Sequence, residues 1–109
     1  MSPNTAIIRS LNDQLRRDFT SGMAFMTPGV AALGAEAAER IFRTISVYDD
    51  FCHANDPWSE HDFGAFEAEG ETIFFKIAYY DKTLTTGSPN PADPAVTTRV
   101  ITIMLASEY

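Results

Sequence analysis

Near the start of the chain, apolar residues recur at three- and four-residue steps: Ile7, Ile8, Leu11, Leu15 and Phe19. That spacing puts them on one face and predicts an amphipathic helix from Ala6 to Phe19. Asn4 or Thr5 supplies a cap, and Arg16 and Arg17 stand near the far end, where the helix dipole favours cations. The short apolar stretch Met23 to Met26, set between Ser21-Gly22 and Thr27-Pro28-Gly29, fits a single strand. Gly34 precedes a second helix over Ala35 to Tyr48, with Ala38, Ile41, Phe42, Ile45 and Tyr48 as its buried stripe. Glu36 with Arg40 and Glu39 with Arg43 are spaced for helical ion pairs on its exposed side.

Two strands, Asp62 to Ala68 and Thr72 to Tyr80, flank Glu69-Gly70, the short glycine-bearing link of a tight hairpin. In the second, Ile73, Phe75, Ile77 and Tyr79 share the face that meets the core. Phe74, Ala78 and Tyr80 share the other face with Lys76, so that face is partly covered as well. Lys82 to Asp93, with Gly87-Ser88-Pro89-Asn90-Pro91 inside it, reads as an ordered, turn-rich loop. Asp93-Pro94 is an N-cap and first-turn signal, and it predicts a third helix over Pro94 to Ser107. Val96, Val100, Ile103 and Met104 would line one side of it. The β-branched content of that segment favours a strand, but its apolar residues do not alternate, and helix is the reading adopted. The expected fold is one α+β domain over residues 1–109, a small antiparallel sheet of about three strands packed with about three helices.

A chain of 109 residues suits one domain. Met1 to Ser10 lack the basic run and apolar core of a signal peptide, and no apolar stretch reaches the roughly 18 residues of a membrane span. A cytoplasmic protein without membrane contact is expected. The single cysteine, Cys52, excludes an internal disulfide framework and a cysteine-rich zinc module. Net charge is −7, unevenly distributed. Residues 1–43 carry five arginines against four acids, whereas residues 44–109 carry Lys76, Lys82 and Arg99 against eleven acids. Such a field repels phosphate backbones and anionic lipid, so direct nucleic-acid binding is not expected. A protein partner with a basic surface, or a cation, is the natural guest, although acidity also serves solubility.

The densest cluster of reactive side chains runs from Asp49 to Asp62. His53, His61 and the carboxylates around them have the donor types of a two-histidine, one-carboxylate metal site. The histidines are eight residues apart across a proline-containing loop and form no helical H-x-x-x-H pair, so the spacing has little specificity, and no metal or cofactor is expected. A small metal-dependent hydrolase centred on His61, Asp62 and Glu60 is the alternative. The acids lack the alternation and central glycine of a calcium loop. Cys52 and His53 are sequence neighbours, which rarely aim their side chains at each other, and nothing marks an oxyanion hole. Asp49 and Asp50 would place two negative charges beside the carbonyls ending the second helix, so either they serve something other than the helix or the helix stops earlier. Trp58 has two readings, a residue closing one end of the core or an interaction anchor rimmed by acids. The candidate interaction residues are Asp49, Asp50, Asp56, Trp58, Glu60, His61, Asp62, Glu67, Glu69 and Glu71.

Asn55-Asp56-Pro57, then Glu60-His61-Asp62-Phe63-Gly64-Ala65-Phe66, resembles the signature of a small uncharacterised family of alphaproteobacteria, a domain of unknown function. Tyr79-Tyr80-Asp81, Gly87-Ser88-Pro89 and Pro91-Ala92-Asp93-Pro94-Ala95-Val96-Thr97 match its second half, and Ile8-Arg9, Leu11-Asn12-Asp13, Met26-Thr27, Gly29-Val30-Ala31-Ala32-Leu33-Gly34 and Asp49-Asp50-Phe51 its first, so the resemblance spans nearly the whole chain. The resemblance implies no catalytic residues, and Cys52 and His53 fall outside the pattern. Members resemble accessory proteins of plasmids, phages and integrated elements, which implies a host-interaction role or an anti-defence role of the anti-CRISPR or anti-restriction type. The expected function is therefore a non-enzymatic interaction protein that engages a basic surface, such as that of a nucleic-acid-processing complex, with carboxylates standing in for phosphates. A plain structural or regulatory subunit, homodimeric through the sheet edge, is the third reading.

Overall fold

The stripe of the first helix is realised in α1 (Pro3–Asp18) of a computed structural model that describes residues 3–109. Leu15 is fully buried and Ile8 nearly so. Within the described residues the helix runs from Pro3, so Asn4 and Thr5 lie inside it and not at its N-cap position. After α1 come β1 (Met23–Met26), α2 (Pro28–Ala31), α3 (Ala35–Ser46), β2 (Phe63–Ala68), β3 (Glu71–Tyr80) and β4 (Thr98–Leu105). A 3₁₀ turn over Ala106–Glu108 ends the order. The class is α+β, as expected. The short α2 was not expected; Pro28 starts it, and the Glu108 carboxylate accepts from Thr27 Oγ1 and the Gly29 N–H beside it.

The sheet has four strands in the order β1-β4-β3-β2, one more than expected. β2–β3 and β3–β4 are antiparallel, but β1 joins β4 in parallel, so the sheet is mixed. The hairpin between β2 and β3 turns at Glu69 and Gly70, both at positive φ (56° and 76°), as a two-residue type I′ link requires.

The predicted third helix is a correction. Residues 98–105 form β4, the strand between β1 and β3. Val100, Ile101, Ile103 and Met104 are all buried, so this strand is covered on both faces and shows no alternation. Its β-branched residues were the informative signal. The Asp93-Pro94 cap signal serves a turn instead. Asp93 Oδ1 accepts the Ala95 N–H at 2.9 Å and the Asp93 carbonyl accepts the Val96 N–H, and the chain then extends.

Pairing places Ile73, Phe75 and Ile77 of β3 beside Leu105, Ile103 and Ile101 of β4 on one face. Leu15, Val30, Ile41 and Ile45 of the three helices meet that face to form the core. Phe74, Lys76 and Ala78 lie on the opposite face with Phe63 and Ala65 of β2 and Met104, Thr102 and Val100 of β4. Tyr109 reaches across part of it, its ring 5.7 Å from Phe74 and 6.2 Å from Phe63. The 81–97 loop is ordered by Asp81, whose carboxylate collects the hydroxyls of Thr83 and Thr86 and the Thr85 N–H. Those bonds, the one from Thr86 first, hold its pKa far below the usual carboxylate value.

Candidate functional site

The acid-rich segment between α3 and β2 is a loop, and a buried arginine from α1 holds its first turn. Arg16 Nη1 donates to the carbonyls of Ile45 and Tyr48, both at 3.0 Å, and Nη2 pairs with Asp13 at 2.5 Å. The guanidinium lies over the rings of Phe51 (5.0 Å) and Phe75 (5.7 Å). The cation that the helix C-terminus favours thus comes from another helix. α3 stops at Ser46, the earlier of the two endings open from sequence, and Asp49 and Asp50 lie exposed beyond it.

Two side chains then fold the loop on itself. Asn55 accepts the Cys52 N–H at 3.0 Å and donates to the Asp50 carbonyl at 3.1 Å. Asp56, only 5% exposed, accepts the backbone N–H groups of Glu60 (2.9 Å) and His61 (3.2 Å). Ser59 and His61 sit at φ of 58° and 57°, a left-handed conformation that non-glycine residues hold only when their surroundings enforce it. Trp58 stands between these anchors with 74% of its surface exposed. The core reading of this tryptophan is overturned: the nearby core is closed by Tyr48, Phe51 and Phe75, whose rings pack edge to face.

His61, Glu60 and Asp62 diverge. His61 Nδ1 lies 2.8 Å from Asp13 Oδ1, and its ring stacks on Phe51 at 3.9 Å with planes 4° apart. Glu60 turns to Tyr79, whose hydroxyl donates to its carboxylate at 2.8 Å. Asn12, fully buried, donates to the Tyr79 hydroxyl (2.7 Å) and to the Glu60 carbonyl (3.0 Å). Burial, with a contribution from the Glu60 hydrogen bond, pushes the Tyr79 phenol well above its ordinary pKa and keeps it a donor. Asp62 is half-buried, and desolvation, then the Glu60 charge, raises its pKa. Among the described residues, no three His, Cys, Asp or Glu side chains form a group that could hold a metal ion. A polar cleft of about 300 Å³ opens beside His61, lined also by Arg9, Cys52, His53 and Asp56.

The remaining candidates lie on the hairpin. Glu67 accepts the Thr72 hydroxyl at 2.6 Å, Glu69 pairs with Arg40 of α3, and Glu71 is exposed. The ten residues therefore split: Asp49, Asp50, Trp58, Glu67 and Glu71 face solvent, Asp56, Glu60 and His61 hold the loop in place, Glu69 pairs with Arg40, and Asp62 is half-buried. Sequence reasoning missed Asn12, Asp13, Arg16, Tyr79 and Arg99 as its supports. One signal was present: Asn12 falls four after Ile8 and three before Leu15, on the helix face that should be apolar.

A family profile described as a protein of unknown function (DUF3768) matches residues 26–108. The chain belongs to the DUF3768 family. The DUF3768 match takes in the loop, the hairpin and β4, while α1, which supplies Asn12, Asp13 and Arg16, lies before it. Comparison with curated proteins and with solved structures finds no match.

Proposed function

We propose that this DUF3768 protein is a non-enzymatic interaction module whose 47–62 loop docks on a basic surface of a partner protein. Trp58 is the anchor, and Asp49 and Asp50 supply charge. The observation that carries the reading is a tryptophan 74% exposed on a loop already fixed by Asn55 and Asp56. Exposed aromatics of this kind are the residues that dominate binding energy, and a pre-ordered loop loses little entropy on docking. The net charge of −7 selects a cationic surface, and a nucleic-acid-processing complex, as an anti-defence role would require, presents one where it holds phosphates. The hydrolase alternative finds no support in the geometry, since His61 and Glu60 are engaged by different partners. Affinity capture with the wild-type chain and with Trp58→Ala, at low and high salt, tests the proposal. A partner retained by wild type, lost with Trp58→Ala and released by salt is expected; capture indifferent to both refutes it.

A second reading has an observation of its own. β1 is an edge strand with Phe25 51% exposed, and it continues into a shallow apolar recess formed with Met23, Tyr80, Leu84 and Val100. Exposed edges of this kind pair with other chains, so a homodimer would form through β1. Mass measured by sedimentation across a concentration series separates this reading from the first.

A further inference from the structure

Arg99 is a charged residue in an unusual place. It lies on the core face of β4 with only 5% of its surface exposed, beneath a cleft of about 270 Å³ lined by Leu11, Gln14, Ser21, Lys82, Thr97 and Arg99 itself. Its Nε donates to Asn12 Oδ1 at 2.8 Å, its Nη2 donates to the Pro91 carbonyl, and its guanidinium stacks 5.2 Å from the Tyr79 ring. All three partners are neutral. Among the described residues, no ion pair joins Arg99 to a carboxylate, and Nη1 makes no hydrogen bond. The carboxylate of Glu60 is linked to it only through Tyr79 and Asn12.

A buried cation with no carboxylate bonded to it is costly, because the protein interior does not fully replace the water it has lost. We propose that the cleft is a binding site for a small oxyanion, a carboxylate or a phosphate, with Arg99 as its fixed receptor and Lys82 as a second, exposed cation. Three observations converge. The guanidinium is locked on its Nε and Nη2 sides and on its ring face, leaving Nη1 as the end with donors to offer. Lys82 and Arg99 are two of only three cations in residues 44–109, yet both line this one cleft. Asp81, the acid next to Lys82, is already engaged by Thr83, Thr85 and Thr86. Burial draws the Arg99 pKa downward, and the nearby Tyr79 and Glu60 act against it. The cleft volume suits a single ion or a small acid and not a nucleotide.

The test follows the Nε–H resonance of Arg99 by NMR while inorganic phosphate or succinate is added at constant ionic strength, with chloride as the control. Removing Arg99 would also remove the packing of β4, so the variant used is Lys82→Gln at an exposed position. A saturable shift with phosphate, succinate or both, weakened about threefold by Lys82→Gln, supports the site, and the anion that saturates names the class. A response that never saturates, that chloride reproduces, or that Lys82→Gln leaves unchanged overturns the proposal.

Discussion

Asp56→Ala separates a residue that shapes the loop from one that touches a partner. The substitution removes the acceptor of the Glu60 and His61 N–H groups, bonded at 2.9 and 3.2 Å, at a position only 5% exposed, where water does not fully replace it. A hydrogen bond to an ionised group contributes about 1.5 to 3 kcal/mol. Release of the left-handed conformations at Ser59 and His61 returns about 1 kcal/mol each as the loop relaxes. The net loss is about 1 to 4 kcal/mol, which in a domain of this size lowers Tm by about 4 °C at the least. Guanidinium unfolding followed by circular dichroism measures it, with an unchanged slope confirming that only stability has moved. Asp56→Asn keeps one carbonyl acceptor and should lose about half as much. If Asp56→Ala unfolds within about 0.5 kcal/mol of wild type, the capping role is refuted and Asp56 belongs with the exposed acids.

Three further outcomes are expected. Gly64→Ala should cost about 3 kcal/mol or abolish folding, because a Cβ there would overlap the rings of Phe75 and Tyr48; a stable variant would show that β2 can shift away from the core. The Asp62 pKa is raised on folding, so the native state binds its proton more tightly than the unfolded chain, and stability falls as pH rises from the unfolded to the folded value. Asp62→Asn should therefore raise Tm at about pH 7 and leave it unchanged at about pH 3, whereas equal melting at neutral pH contradicts the burial argument. Asp49→Asn with Asp50→Asn should leave stability within about 0.5 kcal/mol, since α3 ends at Ser46 and Arg16 satisfies its carbonyls, and should slow association with a basic partner; a lower Tm would show that these acids serve the fold.

Helix faces and the hairpin were legible because their signals are local. Ile8 and Leu15 of α1, Ile41 and Ile45 of α3, and the alternation of Ile73, Phe75 and Ile77 in β3 each report burial on one side. β4 was not legible by the same rule, because a strand buried on both faces loses its alternation, and Asp93-Pro94 satisfied the grammar of a cap while making only a turn. The candidate loop was legible as a place and not as an arrangement. Composition marks 49–62 as acidic but does not distinguish Asp56, whose carboxylate turns inward to backbone N–H groups, from Asp49 and Asp50, which do not. The supports of the loop come from residues about 48 positions earlier, Asn12 to Glu60 and Asp13 to His61, and such pairings leave no mark in local sequence.

The chain contains one tryptophan, so its emission reports on the proposed anchor alone. The most direct measurement is the fluorescence of Trp58 during titration with the captured partner, at about 0.1 M and about 1 M salt, where the screening length falls from about 10 to about 3 Å. Docking of this exposed ring against a basic surface predicts a saturable blue shift at low salt that weakens steeply at high salt. A partner that binds with unchanged Trp58 emission and salt-independent affinity would contradict the assignment of this loop as the interaction surface.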